Sequence, residues 1–155
     1  MAISQKLKDF LDSSKVPYRI LPHSPAYTAP KIAASAHIKG RKVVKCVMVH
    51  GDGKDFLLAT TANAKVDLDK VEKALGLSGA RLEREEDFKG RFPDCDVGAM
   101  PPFGNIYGIS VVVDEAIYGD DEIVFNGGDH VTLVQMSFDD FRRLANPIRA
   151  AVCQN

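Results

Sequence analysis

Cysteine is scarce in this chain. Cys46, Cys95 and Cys153 are its three, widely spaced. An odd, scattered set excludes a disulfide framework and a zinc knuckle, and points to reduced thiols. Net charge is nearly absent, at −1. No global field therefore recruits nucleic acid or an acidic membrane, and any tRNA or DNA partner must be held by a local basic patch. Long apolar runs are missing: nothing approaches the length that crosses a bilayer. Met1 to Phe10 has lysines but no run of signal-peptide length. The expected location is the cytoplasm. The four histidines, His23, His37, His50 and His130, lack metal-ligand spacing. No metal or cofactor is expected. No serine stands in a G-x-S-x-G elbow, and glycine-rich βα turns of the nucleotide-binding type are absent. There is no repeat, low-complexity tract or linker.

What is present is ordinary for a globular domain: 155 residues, 45% hydrophobic and 26% charged. That length fits one domain over residues 1–155 with a real core. Ser4 to Ser14 reads as an amphipathic helix capped by Ser4, with Leu7, Phe10 and Leu11 on one face. Val16 to Leu21 reads as a strand that Pro17 places at a start or edge. Thr28 caps a predicted helix from Ala29 to His37, rich in small residues and closed by Gly40. Val43 to Val49 is the strongest strand signal. It is apolar on both faces, hence central, and a turn at Gly51-Asp52-Gly53 leads to its partner, Phe56 to Thr61. Asp67 caps a helix through Leu75. A short strand near Ala80 to Glu83, a charged helix from Glu85 to Lys89, and strands at Ile109–Asp114, Glu122–Phe125 and Val131–Gln135 follow. Ser137 caps a last helix, and Pro147 lies beyond it. Strands outnumber helices and several are joined by hairpins. The fold class is α/β of the mixed α+β kind: one domain on a largely antiparallel mixed sheet, flanked by helices.

Two features carry chemistry. The first is Gly98-Ala99-Met100-Pro101-Pro102-Phe103-Gly104. Its prolines fix φ and restrict the residues before them. Gly98, Ala99 and Met100 keep an N–H, and donors held in place are what a developing oxyanion needs. The plainer reading is a tight connection between two elements. The second is Lys45, which interrupts an apolar strand. Its stem snorkels to the strand end, or it pairs with an internal carboxylate, or it lines a pocket for an anionic or carbonyl ligand. Cys46 beside it points to the opposite face and reads as a core thiol. Cys95 sits between Asp94 and Asp96, whose charges disfavour thiolate. Lys31, Lys39, Arg41 and Lys42 form a basic run entering the strand of Lys45; by default such a run is a solvated face, but it also suits phosphates. His23 and His130 lie in loops beside Pro or Gly, where binding residues concentrate.

In these residues the sequence resembles the YbaK-type family, the prolyl-tRNA-synthetase-associated editing domains. The match lies in Lys45 within its apolar strand and in Gly98 to Pro102 as the family's G-x-x-x-P loop. Pro102-Phe103-Gly104, the His23 to Thr28 loop and the Asn126-Gly127-Gly128 turn also fit. The resemblance implies a sheet or partial barrel flanked by helices. It implies a free-standing hydrolase that removes a small wrong amino acid from the terminal adenosine of tRNA, assisted by the substrate's 2′-hydroxyl, without metal. It makes Lys45, Gly98, Ala99, Met100 and Pro102 the catalytic set. Substrate contacts fall to His23, Ala26, Thr28, Phe103, Gly104, Gly127, Gly128 and His130, and the tRNA backbone to Lys31, Lys39, Arg41 and Lys42. The implied partners are the acceptor end of aminoacyl-tRNA and a synthetase, with no membrane or DNA. Two other readings compete. One is a non-catalytic module holding a tRNA end, nucleotide or partner through the same pocket. The other is a cysteine-dependent hydrolase using Cys95 or Cys46.

Overall fold

The structure, a computed structural model, describes residues 3–22 and 43–154. The predicted helix at 29–37 lies outside these residues, as do His23, Ala26, Thr28, Lys31, Lys39, Arg41 and Lys42.

Helix α1 (Gln5–Ser13) begins where Ser4 accepts the Leu7 N–H, and it buries Leu7 and Leu11 completely. Strands β1 (Tyr18–Pro22), β2 (Val44–Gly51) and β3 (Lys54–Thr61) follow. Helix α2 (Leu68–Leu75) starts where Asp67 accepts two backbone N–H groups, and Gly76 ends it. Next come β4 (Ala80–Leu82), α3 (Glu85–Phe88), β5 (Ser110–Asp114), β6 (Glu122–Asn126) and β7 (Thr132–Ser137). Helix α4 (Phe138–Ala145) is capped by Ser137, and β8 (Ile148–Ala150) closes the order.

The strands form two sheets, β1-β7-β6 and β4-β2-β3-β5-β8. Four pairings are antiparallel; β3–β5 and β5–β8 run parallel. The largely antiparallel mixed architecture is as expected. A parallel bridge between Val43 and Val124 joins the sheets, so together they wrap one core. Strand β1 is an edge, consistent with Pro17 just before it, and β2 lies between β3 and β4.

Strand alternation sorts β2 into two faces. Val44 enters the core with Ala59, Phe103, Phe125 and Phe141, and Met48 packs with Leu57 and Met100. Val47 and Val49 pack on the other side, with Val71 and Leu75 of α2. No helix among the described residues is long and apolar enough to cross a membrane.

Candidate active site

The proline loop is built by a turn. The Ala99 N–H donates to the Asp96 carbonyl at 3.0 Å, with Gly98 at φ 85°. This conformation favours glycine at Gly98. After it the chain dives inward: Ala99, Met100, Pro101, Pro102, Phe103 and Gly104 are all buried. Phe103 is 0% exposed and meets the rings of Phe10, Phe125 and Phe141 edge-on. It anchors the loop in the core and does not line a pocket, which corrects the sequence expectation. A Cβ on Gly104 would sit 3.0 Å from the Ile109 carbonyl, so this position is reserved for close backbone packing, not for substrate.

The donor inventory also changes. Ala99 spends its N–H on Asp96, because the turn that Gly98 permits closes that hydrogen bond. Pro101 and Pro102 have none. The N–H groups of Gly98 and Met100 have no hydrogen-bond partner among the described residues. Met100 is only 5% exposed. Buried backbone donors are nearly always paired, so the Met100 N–H is a candidate donor to a ligand acceptor.

A second turn braces the loop. The Asp96 N–H donates to the Gly128 carbonyl at 2.7 Å, and the Gly128 N–H donates to the Ala99 carbonyl at 3.0 Å. His130 Nε2 lies 3.0 Å from the Val97 carbonyl. The Asn126-to-His130 turn is thus brought to the loop. Helix α1 joins them, with the Ser4 N–H on the Gly127 carbonyl. Ser4 Oγ and Tyr107 OH both donate to Asp94, at 2.5 and 2.7 Å, and the Lys6 N–H adds a third bond. Burial pushes the Asp94 carboxyl up, but these bonds outweigh it and hold it below the usual carboxylate range. The sequence reading passed over Asp94. Its only signal was a carboxylate next to Cys95, seven residues before Pro101-Pro102.

Lys45 is elsewhere. Its Nζ donates to the Ala64 carbonyl at 2.5 Å, whereas the neighbouring Cys46 Sγ lies 3.3 Å from the Met100 carbonyl. The two side chains leave β2 on opposite faces, so Lys45 does not face the loop; strand parity decides this. Its ammonium sits beside a cleft of about 510 Å³ lined by Thr61, Ala64, Lys70, Asp114, Arg149 and Cys153. Burial lowers its pKa, with Lys65 adding to the shift and Cys153 opposing it. No carboxylate pairs with it among the described residues.

The thiols are poor nucleophiles. Burial pushes Cys95 and Cys153 up to about 11 and Cys46 higher still. Asp94 contributes at Cys95, as the sequence implied, but burial is the larger cause. One grouping among the described residues has metal-donor chemistry: His50, Asp55 and Glu83 lie within 4.8 Å of one another. Arg91 already pairs with Asp55, and His50 Nδ1 lies 2.8 Å from the same carboxylate. This cluster lies at the turn end of the β2–β3 hairpin, and His50 belongs to it.

The described residues thus form a small two-sheet domain in which a proline-stiffened loop is braced by a second turn. The chain belongs to the aminoacyl-tRNA editing domain family, whose sequence model matches residues 23–144. It is 28% identical over 108 residues to a proline–tRNA ligase of Streptomyces coelicolor, covering 69% of this chain and 19% of that protein. The chain thus spans about a fifth of that relative's length. It is 22% identical over 141 residues to the prolyl-tRNA editing protein ProX of Acetoanaerobium sticklandii, covering 86% of this chain and 85% of that protein. Among solved structures, a candidate trans-editing enzyme for prolyl-tRNA synthetase superposes with a TM-score of 0.83 at 19% identity, over 98% of this chain and 97% of that one. That likeness speaks for the fold.

Proposed function

We propose that this chain is a single editing domain that hydrolyses mischarged aminoacyl-tRNA in trans, in the cytoplasm, releasing a small non-cognate amino acid from the terminal adenosine. The observation that carries this reading is the editing-domain match over residues 23–144. In the reaction, a water oxygen bonds to the ester carbonyl carbon, the bond from that carbon to the ribose oxygen breaks, and the departing ribose oxygen takes a proton from that water to become a hydroxyl. The substrate's own 2′-hydroxyl positions the water, and no metal takes part.

The Gly98 and Met100 N–H groups receive the developing oxyanion. Ala99 serves by position, since its own N–H is committed to Asp96. Pro102 keeps the segment from relaxing. Preorganised donors cost no reorganisation during the reaction. Lys45, on the other face of β2, grips a phosphate or the terminal nucleotide instead of polarising the ester. An ammonium with no ion-pair partner among the described residues, partly out of water, is suited to that. Lys31, Lys39, Arg41 and Lys42 steer the acceptor strand towards it, and His23, Ala26, Thr28 and His130 bound the amino-acid pocket. Gly127 and Gly128 position that pocket through backbone contacts. A synthetase is the docking partner that the family relationship favours.

The test is a panel of tRNAs carrying alanine, cysteine, serine or threonine esters. Release of at least one amino acid, lost in Lys45→Ala with the fold intact, is expected. Saturable binding without release would make the chain a binding module. Full activity in Lys45→Ala would remove that lysine from the reaction.

A further inference from the structure

The turn from Asn126 to His130 holds a buried carboxylate with one of its two oxygens unpartnered among the described residues. Asp129 is 5% exposed. Its Oδ1 accepts the Val131 N–H at 3.0 Å, while its Oδ2 is buried and has no hydrogen-bond partner. No cation pairs with it among the described residues. The Oδ1 of Asn126, in the same turn, is likewise buried and without a donor. Leaving acceptors out of water with nothing to receive is unfavourable, most of all for a carboxylate. Such groups persist where a ligand completes them. Asp129 directly follows Gly128, which hydrogen-bonds to Ala99 of the proline loop and to Asp96 just before it.

We infer that Asp129 receives the α-ammonium of the aminoacyl group, a reading that rests on the proposed deacylase activity. An aminoacyl ester carries a primary amine on the carbon next to its carbonyl. Protonated, that amine offers three donors and one positive charge. It therefore matches a buried carboxylate oxygen beside a loop that takes the carbonyl. Esters whose nitrogen is acylated, as in peptidyl- or N-blocked aminoacyl-tRNA, have neither the charge nor the donors. Asp129 thus makes the enzyme selective for a free amino group and spares blocked tRNAs.

The experiment compares each aminoacyl-tRNA of the panel with its N-acetyl derivative, using the unaltered protein, Asp129→Asn and Asp129→Ala. Asp129→Asn keeps an oxygen for the Val131 N–H while removing the charge. The unaltered protein should cleave the free-amine ester at least about tenfold faster than the N-acetyl ester. Asp129→Asn should lose about 10- to 100-fold in kcat/KM on the free-amine ester, mainly through KM, and change little on the N-acetyl ester. A purely structural role would slow both substrates equally in both variants, and that outcome overturns the inference. Equal cleavage of both esters by the unaltered protein overturns it too, while leaving the deacylase reading standing. No cleavage of any ester overturns both.

Discussion

Gly128→Ala isolates what holds the two turns together. Gly128 has φ 120°, and a Cβ there would lie 2.9 Å from Ser4 Cβ and 3.0 Å from Ser4 N. The obstacle includes backbone, so it cannot swing aside. Gly98→Ala provides the comparison: φ is 85°, but the nearest atom, His130 Cε1, is 3.6 Å away, an ordinary contact. Gly98→Ala therefore bears only the conformational cost, about 1–2 kcal/mol. Gly128→Ala bears a conformational cost of about 1–3 kcal/mol, plus about 1–3 kcal/mol of overpacking. In a domain of this size each kcal/mol moves Tm by about 2–4 °C. Gly98→Ala should lower Tm by about 2–8 °C, and Gly128→Ala by at least about 2 °C more. The displaced Ser4 would also loosen its bonds to the Gly127 carbonyl and to Asp94. Thermal unfolding followed by circular dichroism reads both variants. Equal Tm shifts would refute the claim that helix α1 is packed directly under the second turn.

Other expectations follow from the same contacts. Phe103→Ala should cost about 3–5 kcal/mol as a buried aromatic deletion, measured by denaturant unfolding. Phe103→Leu should leave amino-acid preference unchanged, and a broadened preference would return Phe103 to the pocket wall. The depressed carboxyl of Asp94 contributes stability that is present above its unfolded pKa, about 4, and lost as pH falls through its lower folded value. Asp94→Asn should therefore flatten the acid limb of a Tm-against-pH curve, and an unchanged limb would show that Asp94 is not a determinant of it. With Cys95 and Cys153 near 11 through burial, iodoacetamide should label them slowly at neutral pH and leave deacylation intact. Activity lost in step with labelling would revive a cysteine mechanism.

Elements set by short-range chemistry were legible in the sequence. Ser4, Asp67 and Ser137 cap helices because their side chains accept nearby N–H groups, and that needs no knowledge of the rest of the chain. The β2–β3 hairpin was legible for the same reason. Strand β8 was not: Ile148 and Arg149 are exposed, so three residues leave no periodic trace, and only the parallel pairing with β5 defines them. Phe103 was misplaced because an aromatic between proline and glycine has the same local signature in a pocket wall as in a core anchor. Three distant rings decide between them. The Ala99 donor was misjudged because its fate depends on the turn that Gly98 allows, a three-dimensional fact.

The parity of β2 constrains the chemistry most. Sequence alternation already put Cys46 opposite Lys45, and the hydrogen bonds of both side chains agree with it. The loop lies with Cys46, since its sulfur meets the Met100 carbonyl and Met48 shares that cluster. In the proposed mechanism, charge attraction by Lys45 and oxyanion stabilisation by the loop are therefore separate events on the two faces of β2. Single-residue losses should accordingly divide. Removing the lysine weakens capture of the nucleotide end and raises KM, whereas disturbing the Gly98 turn lowers the rate once the substrate is bound. A Lys45→Ala enzyme whose loss lies wholly in kcat at saturating substrate would contradict this separation and require the ammonium at the ester.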